Sequence, residues 1–562
     1  MPIASDNPPD VFTLDQFKGL NQQSQRGSID DQEEWFDENL FAIGPGNLRS
    51  CWGPSPSFYT VPAGYTIRRI FCGFYGQDIT DPQGAPPSYS QPPPGRKCWV
   101  FYENGTAAGM VDEVDLDTHQ VTTVGQIWAP ISPKWWASAK VWRPRWIGST
   151  MGQVGGVLFG SPQGLYAWDG QNLYSPGGPA PDWLTNALEN PFPSVTTMPS
   201  GLPGIYAMEV YSGRLWVAGK DVISFTSPEN GADFSEGTGG GSFGYYGDKL
   251  VHDYMDLAAS SGYLYVFGDS STDMISNVQM SGQGTATDPY LTNFLYMNVD
   301  PQVGQRFPRV VGHWGRYFTL YNGAGIFLMQ GGDANEIGQK TLNIYNTLDT
   351  SEFYPTMSPC TMFGTRVMLF NGMFTDPWGR KRTLLLMWHG TFWSIASQHY
   401  NLTHIAPYED NSVLTAYGTD GTNLYRLFDS PDPTLIKRLS TKALRGDGPA
   451  QLVIKNFKRV YLEFHDCSGD GWTRSDSQTV VSVPRPPRGV SFTGSITTGD
   501  GGVQGGKQDI GFDLTSGKKH SIEPFPISGG GIWAYVDLES ISPDFIIERL
   551  HVTNEGRTLF GA

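Results

Sequence analysis

The sequence has few of the features that mark secreted disulfide-rich proteins or zinc proteins. It contains five cysteines in 562 residues, namely Cys51, Cys72, Cys98, Cys360 and Cys467, and no two of them form a CxxC pair. An odd number of scattered cysteines fits neither a disulfide scaffold nor a zinc site. We therefore expect no disulfide, no metal requirement for folding, and folding in a reducing cytoplasm.

Long apolar runs are also lacking. No stretch approaches the roughly 20 apolar residues that a transmembrane helix needs, so we expect no membrane-spanning segment. The start, MPIASDNPPD, has neither a cationic region nor an apolar region of the kind found in signal peptides. If the protein acts outside a cell, we expect it to leave by lysis or as part of a particle.

Positive charge is scarce, with 38 Lys and Arg against 55 Asp and Glu and a formal net charge of −17. A dedicated nucleic-acid binder needs a strong cationic surface to displace counterions from phosphates. The composition therefore argues against such a binder. It does not argue against a surface past which DNA moves without binding.

Recognisable catalytic motifs are missing as well. We find no GxSxG, HExxH, P-loop or GxGxxG in a suitable strand–turn–helix context, and we expect no cofactor. A hexapeptide that begins at Asp466 and ends at Gly471 matches the first half of a calcium loop, but its twelfth position is Ser477 rather than glutamate. A polar hairpin turn is the favoured interpretation, and ion binding stays open. Carboxylates are plentiful, so an acid/base pair elsewhere also stays open.

What the sequence has is glycine (69), proline (41) and aromatic residues (13 %), a composition typical of many short strands joined by tight turns. Glycine-led strands begin at Gly164, Gly213 and Gly262, each 49 positions after the previous one, and recur more loosely at Gly315, Gly364 and Gly421. A period of roughly 40–50 residues is typical of a β-propeller. We predict an all-β fold with six or seven blades; the alternative is a series of ordinary β-meanders.

The repeat makes a specific prediction for two segments. Leu215, Trp216 and Val217 should occupy a strand equivalent to that of Leu264, Tyr265 and Val266 in the next blade. Since side chains alternate across a strand, Leu215 and Val217 should lie on one face and Trp216 on the other. The predicted domains are an extended N-terminal segment (1–54), the propeller (55–445) and a C-terminal β-sandwich of about six strands (446–562).

Two clusters are candidate functional residues. An acidic cluster lies in the N-terminal segment and is either a solvated face or part of a wall that faces DNA. Its members are Asp30, Asp31, Glu33, Glu34, Asp37 and Glu38. A basic, aromatic-rich patch is either a propeller strand or a subunit interface, with base stacking less favoured. Its members are Trp135, Trp136, Trp142, Arg143, Arg145 and Trp146.

Three stretches resemble the tail tubular (nozzle) proteins of short-tailed bacteriophages, and together they cover about half of the chain in patches. The first is Phe-Lys-Gly-Leu-Asn at 17–21 followed by Gly-Pro-Gly-Asn-Leu-Arg at 44–49. The second is Arg-Leu-Trp-Val-Ala-Gly at 214–219 followed by Ile-Ser-Phe-Thr-Ser-Pro at 223–228. The third is Leu-Tyr-Val-Phe-Gly-Asp-Ser-Ser-Thr at 264–272. The insertion at 237–247 and the domain at 446–562 have no clear counterpart, which leaves the position in the tail open.

The resemblance implies a structural protein of the virion tail, made in the host cytoplasm, that forms a homo-oligomeric ring, a hexamer, below the portal. Its partners would be adaptor or portal-side proteins and tail fibres, and double-stranded DNA would pass through its channel during ejection. Family members are not enzymes, so no catalytic residue carries over. The alternatives are a carbohydrate- or receptor-binding propeller and, less favoured, a propeller glycosidase with two carboxylates about 5–10 Å apart in a central pocket.

Overall fold

The fold is all-β, with two helices of four residues each, α1 (Asp182–Thr185) and α2 (Leu342–Tyr345), and a 3-10 turn at Gln339–Thr341 among the residues described. The computed structural model describes residues 10–43, 46–75, 95–105, 108–128, 138–142, 156–185, 197–202, 204–244, 254–314, 316–399, 401–410, 413–445, 454–467, 489–499, 504–514 and 520–557. Within these ranges no helix is long and apolar enough to span a bilayer. The strands form nine antiparallel sheets.

Five short strands come from the beginning of the described chain. They are β1 (Asp10–Leu14), β2 (Glu34–Glu38), β3 (Leu40–Ala42), β4 (Leu48–Ser50) and β5 (Tyr59–Thr60). β3 and β4 pair with each other as a hairpin. The other pairings of these five strands are with strands that lie far away in the sequence. The segment is therefore distributed over sheets whose other strands lie far away in the sequence.

Seven four-stranded sheets follow, and each is a meander of consecutive strands apart from the last. Sheet 1 contains β6 (Thr66–Tyr75), β7 (Gly95–Glu103), β8 (Ala108–Asp115) and β9 (Val121–Trp128). Sheet 2 contains β10 (Ser138–Trp142), β11 (Gly156–Ser161), β12 (Gly164–Trp168) and β13 (Leu173–Tyr174). Sheet 3 contains β14 (Ala207–Tyr211), β15 (Arg214–Ala218), β16 (Val222–Phe225) and β17 (Gly241–Gly244). Sheet 4 contains β18 (Tyr254–Ser260), β19 (Tyr263–Gly268), β20 (Thr272–Ser281) and β21 (Leu291–Asp300).

The remaining three sheets continue the series. Sheet 5 contains β22 (Val311–Trp314), β23 (Tyr317–Tyr321), β24 (Ile326–Gln330) and β25 (Asp333–Glu336). Sheet 6 contains β26 (Thr356–Met362), β27 (Thr365–Thr375), β28 (Lys381–Trp388) and β29 (Trp393–Ala396). Sheet 7 contains β30 (His404–Asp410), β31 (Val413–Thr419) and β32 (Asn423–Arg426), and β5 supplies its outer strand.

Each sheet is buried on both faces by its neighbours. Seven apolar clusters lie between successive sheets, and one of them joins sheet 7 to sheet 1 through residues such as Tyr408 and Val100. The first strands also follow one another: β6 contacts β10, β10 contacts β14, β14 contacts β18, β22 contacts β26, β26 contacts β30, and β30 contacts β6. The apolar side chains that lie between successive sheets are therefore covered.

The equivalence predicted for residues 215–217 and 264–266 is confirmed. β15 and β19 are the second strands of consecutive sheets. Leu215 and Val217 pack between sheets 2 and 3, whereas Trp216 packs between sheets 3 and 4 beside Leu264 and Val266. This is the two-residue alternation of a strand that is buried on both faces.

The glycine repeat has a partly different origin from the one predicted. Gly213, Gly262 and Gly364 end two-residue turns between the first and second strands of sheets 3, 4 and 6, and the residue before each also has a positive φ. Two consecutive positive φ angles define the type I′ turn, which favours glycine. Gly164 and Gly421, in contrast, lead third strands. The 49-residue spacing between Gly164 and Gly213 therefore relates the start of a third strand to the start of a second strand, and these positions are not equivalent in their sheets.

Two further sheets share one core and contain strands from both the N-terminal and the C-terminal parts of the described chain; we call these two sheets the sandwich. Its C-terminal strands are β33 (Lys437–Thr441), β34 (Ile454–Asp466), β35 (Val490–Gly499), β36 (Gln504–Leu514), β37 (His520–Gly531), β38 (Trp533–Ser540) and β39 (Phe545–Arg557). One sheet has the order β3-β4-β39-β34-β37 with β1 also paired to β39, and the other has the order β2-β33-β38-β35-β36. A shared core joins Leu14, Phe17 and Leu48 to Phe464 and Val536.

The domain limits predicted from the sequence differ from this arrangement. The described residues of the predicted segment 1–54 do not form a separate extended segment, because β1 to β4 lie in the sandwich. β33 also belongs to the sandwich although it lies within the range predicted for the propeller. Local alternation predicts strands but carries no record of a distant partner strand, so pairing of this kind was not visible in the sequence.

Candidate functional site

Most of the acidic cluster lies where the sandwich meets sheets 5 and 6, and not on a free surface. Asp30 and Asp31 are exposed, but Glu33, Glu34, Asp37 and Glu38 are buried. The expectation of a solvated face or of a channel wall therefore does not hold for these four side chains. The physical reason is that β2 lies in the interior, hydrogen-bonded to β33 and in contact with β29.

Glu38 is held between two arginines that belong to different sheets. Arg382 of β28 donates from Nη2 to Glu38 Oε2 at 2.8 Å and from Nη1 to Oε1. Arg438 of β33 donates from Nη1 to Oε2 at 2.9 Å. Although burial opposes it, these two guanidinium groups lower the pKa of Glu38. Glu38 thus binds the sandwich to sheet 6.

Glu33 makes a similar link to the region between sheets 5 and 6. Lys340, in the 3-10 turn after β25, lies 2.8 Å from Glu33 Oε1, and the Asn21 amide donates to Oε2 at 2.7 Å. Hydrogen bonds from these two groups lower the pKa of Glu33 against the effect of burial. The two exposed members form surface ion pairs, Asp30 with Lys18 and Asp31 with Lys442.

Glu34 and Asp37 are different, because they are fully buried and no hydrogen bond of ordinary geometry reaches either carboxyl group from the described residues. Burial raises the pKa of Asp37 to about 8, with the nearby Ser394 hydroxyl opposing the rise only in part. Burial and the Asp37 charge raise the pKa of Glu34. The Asp37 carboxyl group is therefore largely protonated at neutral pH.

The predicted basic and aromatic patch is described at one position only. Trp142 is 2 % exposed and packs with Trp183, Leu184 and Ala232, so it belongs to the core between sheets 2 and 3 and does not form an interface. Five members lie outside the described residues: Trp135, Trp136, Arg143, Arg145 and Trp146.

The half calcium loop is described only at its beginning. Asp466 is buried at the end of β34 and its Oδ2 accepts a hydrogen bond from the Gly489 N–H at 3.0 Å. Residues 468–488, which contain the rest of the loop, are outside the described ranges. Among the residues described, no group of three His, Cys, Asp or Glu side chains has an arrangement that could hold a metal.

A hairpin that the sequence analysis missed carries the most apolar exposed surface. We call residues 276–297 the arm; it is the outer part of β20, the turn that follows, and β21. On one face of β21, Phe294 packs edge-on against Trp216 and Phe225, with ring centroids 5.7 Å apart in both cases. The opposite face bears Leu291, Leu295 and Met297, which are 55 %, 51 % and 48 % exposed.

The arm is also nearly uncharged. Asp288 is the single charged residue between positions 276 and 297, although 17 % of the whole chain is charged. β21 is the outer strand of its sheet among the residues described. Proteins normally protect such edges with lysine, proline or a bulge that turns the edge away. The alternation in Leu-Thr-Asn-Phe-Leu-Tyr-Met at 291–297 indicates a strand. It does not show which of the two apolar faces of that strand is covered by the rest of the protein.

A groove of about 810 Å³ lies where sheet 6 meets the sandwich. Trp378, in the turn between β27 and β28, is 47 % exposed at its rim, and the Arg380 guanidinium lies 5.2 Å from the ring centroid. The groove is lined by Arg438, Ser440, Thr493, Lys507, Asp509, Asp537 and Glu539 among others. It therefore joins an exposed aromatic ring to many hydrogen-bonding groups.

The amino ends of the first strands bring charged groups together at the centre of the seven sheets. The Lys140 ammonium on β10 lies 2.5 Å from Glu209 Oε1 on β14. Arg309, just before β22, lies 3.6 Å from Asp256 Oδ1 on β18 and donates to Ser138 Oγ on β10 at 3.1 Å. Because Arg309 reaches from sheet 5 to sheet 2, this centre is not an open passage at that level.

No family model matches the chain, and no curated protein matches it. Among solved structures it is similar to PorZ, an essential surface component of the type-IX secretion system of Porphyromonas gingivalis, with 11% identity and a TM-score of 0.35. The comparison covers 88% of this chain and 65% of the PorZ chain. A second similarity is to the extracellular domain of a putative one component system from B. thetaiotaomicron, with 11% identity, a TM-score of 0.14, and coverage of 94% and 86% of the two chains. Structural similarities with TM-scores this low do not indicate a function.

Proposed function

We propose that this chain is a structural subunit of the tail of a short-tailed phage, a nozzle or tail-tube protein that assembles into a homo-oligomeric ring, a hexamer. The seven four-stranded sheets are the blades of one propeller, and β5 completes the last of them. Support for this architecture comes from the apolar clusters between successive sheets, including sheets 7 and 1. The patchy resemblance to tail tubular proteins supplies the assignment to the tail.

The arm is the feature from which we infer assembly into a ring. Three exposed apolar side chains on an uncharged outer strand form a surface that soluble proteins rarely leave in water. A second copy of the chain is the occupant that this surface fits best, because a ring repeats the same contact around its axis and leaves no copy of the arm exposed. The strand edge of β21 adds backbone donors and acceptors that a neighbouring chain can pair.

The channel in this proposal lies between subunits. A DNA duplex is far wider than the gap that Arg309 bridges at the centre of the sheets. The net charge of −17 suits a wall that repels phosphates and does not bind them. In the acidic segment, Asp30 and Asp31 are the members exposed enough to take part.

The arm provides the test. We expect the wild-type chain to form rings with an axial hole in negative-stain micrographs and to sediment as an oligomer. The double substitution Leu291→Lys and Leu295→Lys should give monomers with an unchanged melting temperature, because both side chains are exposed and a lysine carries charge into the contact. Val121→Lys is the matched control, since Val121 is 48 % exposed on β9, the outer strand of sheet 1. A wild-type chain that stays monomeric at high micromolar concentration, or arm variants that still form rings, would refute the proposal.

A second candidate is recognition of carbohydrate or of a host receptor, and the groove beside Trp378 favours it. Sugars stack on exposed aromatic rings, donate hydrogen bonds to carboxylate groups and accept them from guanidinium and hydroxyl groups. All of these groups line the groove. This function predicts specific signals on a glycan array that are reduced about tenfold by Trp378→Ala, since a lost contact worth about 1.4 kcal/mol is a tenfold change in affinity. Monomers of the arm variant should bind equally well. An array without signal above background for the wild-type chain would leave the groove with no role in carbohydrate recognition.

A further inference from the structure

Sheet 1 carries a pair of cysteines that the proposed tail function does not use. Cys72 of β6 and Cys98 of β7 lie 26 positions apart in the sequence, but they are directly opposite each other in the antiparallel pairing of the two strands. Both are free thiols. Residues that are directly opposite on antiparallel strands have their side chains on the same face of the sheet. The expectation of no disulfide rested on sequence spacing, which does not record strand register.

The packing around the two strands shows independently that both thiols lie on one face. Cys98 is fully buried in the apolar cluster between sheets 7 and 1, and Cys72 packs against the same cluster. The adjacent residues Phe71 and Trp99 pack on the other face, in the cluster between sheets 1 and 2. The Cys72 and Cys98 side chains are close enough to share a hydrogen bond between their thiols.

The backbone hydrogen bonds place the two cysteines at the closest spacing that an antiparallel sheet allows. The Leu116 N–H donates to the Arg96 carbonyl at 2.9 Å, which joins the end of β8 to β7. Every second residue of an antiparallel strand bonds toward the same neighbour, so Cys98 also bonds toward β8 and not toward β6. Cys72 and Cys98 are therefore a non-hydrogen-bonded pair, in which the Cα atoms are about 4.5 Å apart. A disulfide needs Cα atoms about 4.4–6.8 Å apart.

Cys72 is the member through which a reagent can reach the pair. It is half-buried, whereas the other four cysteines are buried. Burial and the hydrogen bond with Cys98 raise the pKa of the Cys72 thiol. Because the thiolate is the reactive form, we expect oxidation to be slow at neutral pH and the pair to stay reduced in a reducing solution.

We propose that Cys72 and Cys98 are a redox pair that closes to a cross-strand disulfide when the protein meets an oxidant. Two S–H bonds break and one S–S bond forms, while two protons and two electrons pass to the oxidant, for example a diazene that becomes a hydrazine. The new bond fastens β6, the strand of sheet 1 that contacts sheet 7, to β7. This inference is independent of the tail function and of ring formation.

The test is oxidation of the full-length folded protein with the diazene diamide, followed by thiol counting in guanidinium chloride. The reduced chain has five thiols, and we expect three after oxidation. Peptide mapping without reductant should show one cross-link, which joins the peptide of Cys72 to that of Cys98 in the same chain. The oxidised protein should melt about 2 °C higher than the reduced protein, because the bond constrains the unfolded chain. A phosphine reductant should reverse both changes.

One variant and a matched control assign the reaction to the pair. Cys72→Ser should keep all four of its thiols under the same treatment. Cys360→Ala also removes one thiol, from a buried position on β26, but it leaves the pair intact and should fall from four thiols to two.

Five thiols in the oxidised wild-type protein would overturn the proposal, and so would a cross-link that joins any other two cysteines or two chains. An unchanged or lowered melting temperature after oxidation would also overturn it, because the folded chain would then have to distort to close the bond. The peptide map of the wild-type protein decides the matter even if a variant does not fold.

Discussion

Replacing Glu38 by glutamine should lower the free energy of unfolding by about 3 kcal/mol, because removal of one partner from a buried ion pair leaves the other charges uncompensated. Glu38 is 1 % exposed and is shared by Arg382 and Arg438. Each arginine keeps one other carboxylate, Asp376 at 3.2 Å and Glu539 at 3.0 Å, which places the cost at the lower end of the range for buried pairs. Urea-induced unfolding followed by tryptophan fluorescence measures the change.

Asp31→Asn is the matched control for this prediction. Asp31 lies in the same segment and pairs with Lys442, but its side chain is 61% exposed. Exposed ion pairs contribute about 0–1 kcal/mol, so this variant should unfold within about 1 kcal/mol of the wild type. Equal and small effects of the two substitutions would show that the acidic segment does not fasten the sandwich to sheet 6.

The stability of the wild-type protein should fall as the pH rises from 6.5 to 8, and Asp37→Asn should remove a loss of about 1.5 kcal/mol over that interval. Asp37 has a pKa of about 8 in the folded chain, above its value in the unfolded chain. Its stabilising effect is therefore complete at a pH below the unfolded pKa and is lost as the pH rises through 8. Asparagine cannot ionise, so the variant lacks this loss.

The chosen interval separates Asp37 from other groups with shifted pKa values. The buried histidines His389 and His404 have lowered pKa values in the folded chain, and because the wild type and Asp37→Asn share both histidines, their effect cancels in the comparison. Lys437, whose pKa is lowered to about 8, affects stability mainly above that pH. Burial shifts the pKa of Glu34 in the same direction as that of Asp37, and Glu34 is present in both proteins. Urea midpoints at pH 6.5 and 8.0 that shift equally in Asp37→Asn and in the wild type would contradict a buried neutral carboxyl at this position.

The candidate sites show how far sequence reasoning reaches. The acidic cluster was visible in the sequence because six carboxylates lie close together, and this density indicated a solvated surface. Packing against β33 and β29 buries four of the six, so that interpretation is wrong for those four. The arm has the same alternation as an ordinary strand, so nothing in the sequence separated its exposed face from its covered one.

The sequence by itself determined the all-β class and the alternation that buries Leu215 and Trp216 on opposite faces. These depend on side-chain periodicity and on backbone preferences within a few residues. Only the tertiary structure decided the partners of the N-terminal strands, the closure of sheet 7 by β5 and the pairing of Glu38 with Arg438. These contacts join residues hundreds of positions apart. Such contacts form because apolar faces and strand edges must be covered, and a linear pattern does not record which distant segment covers them.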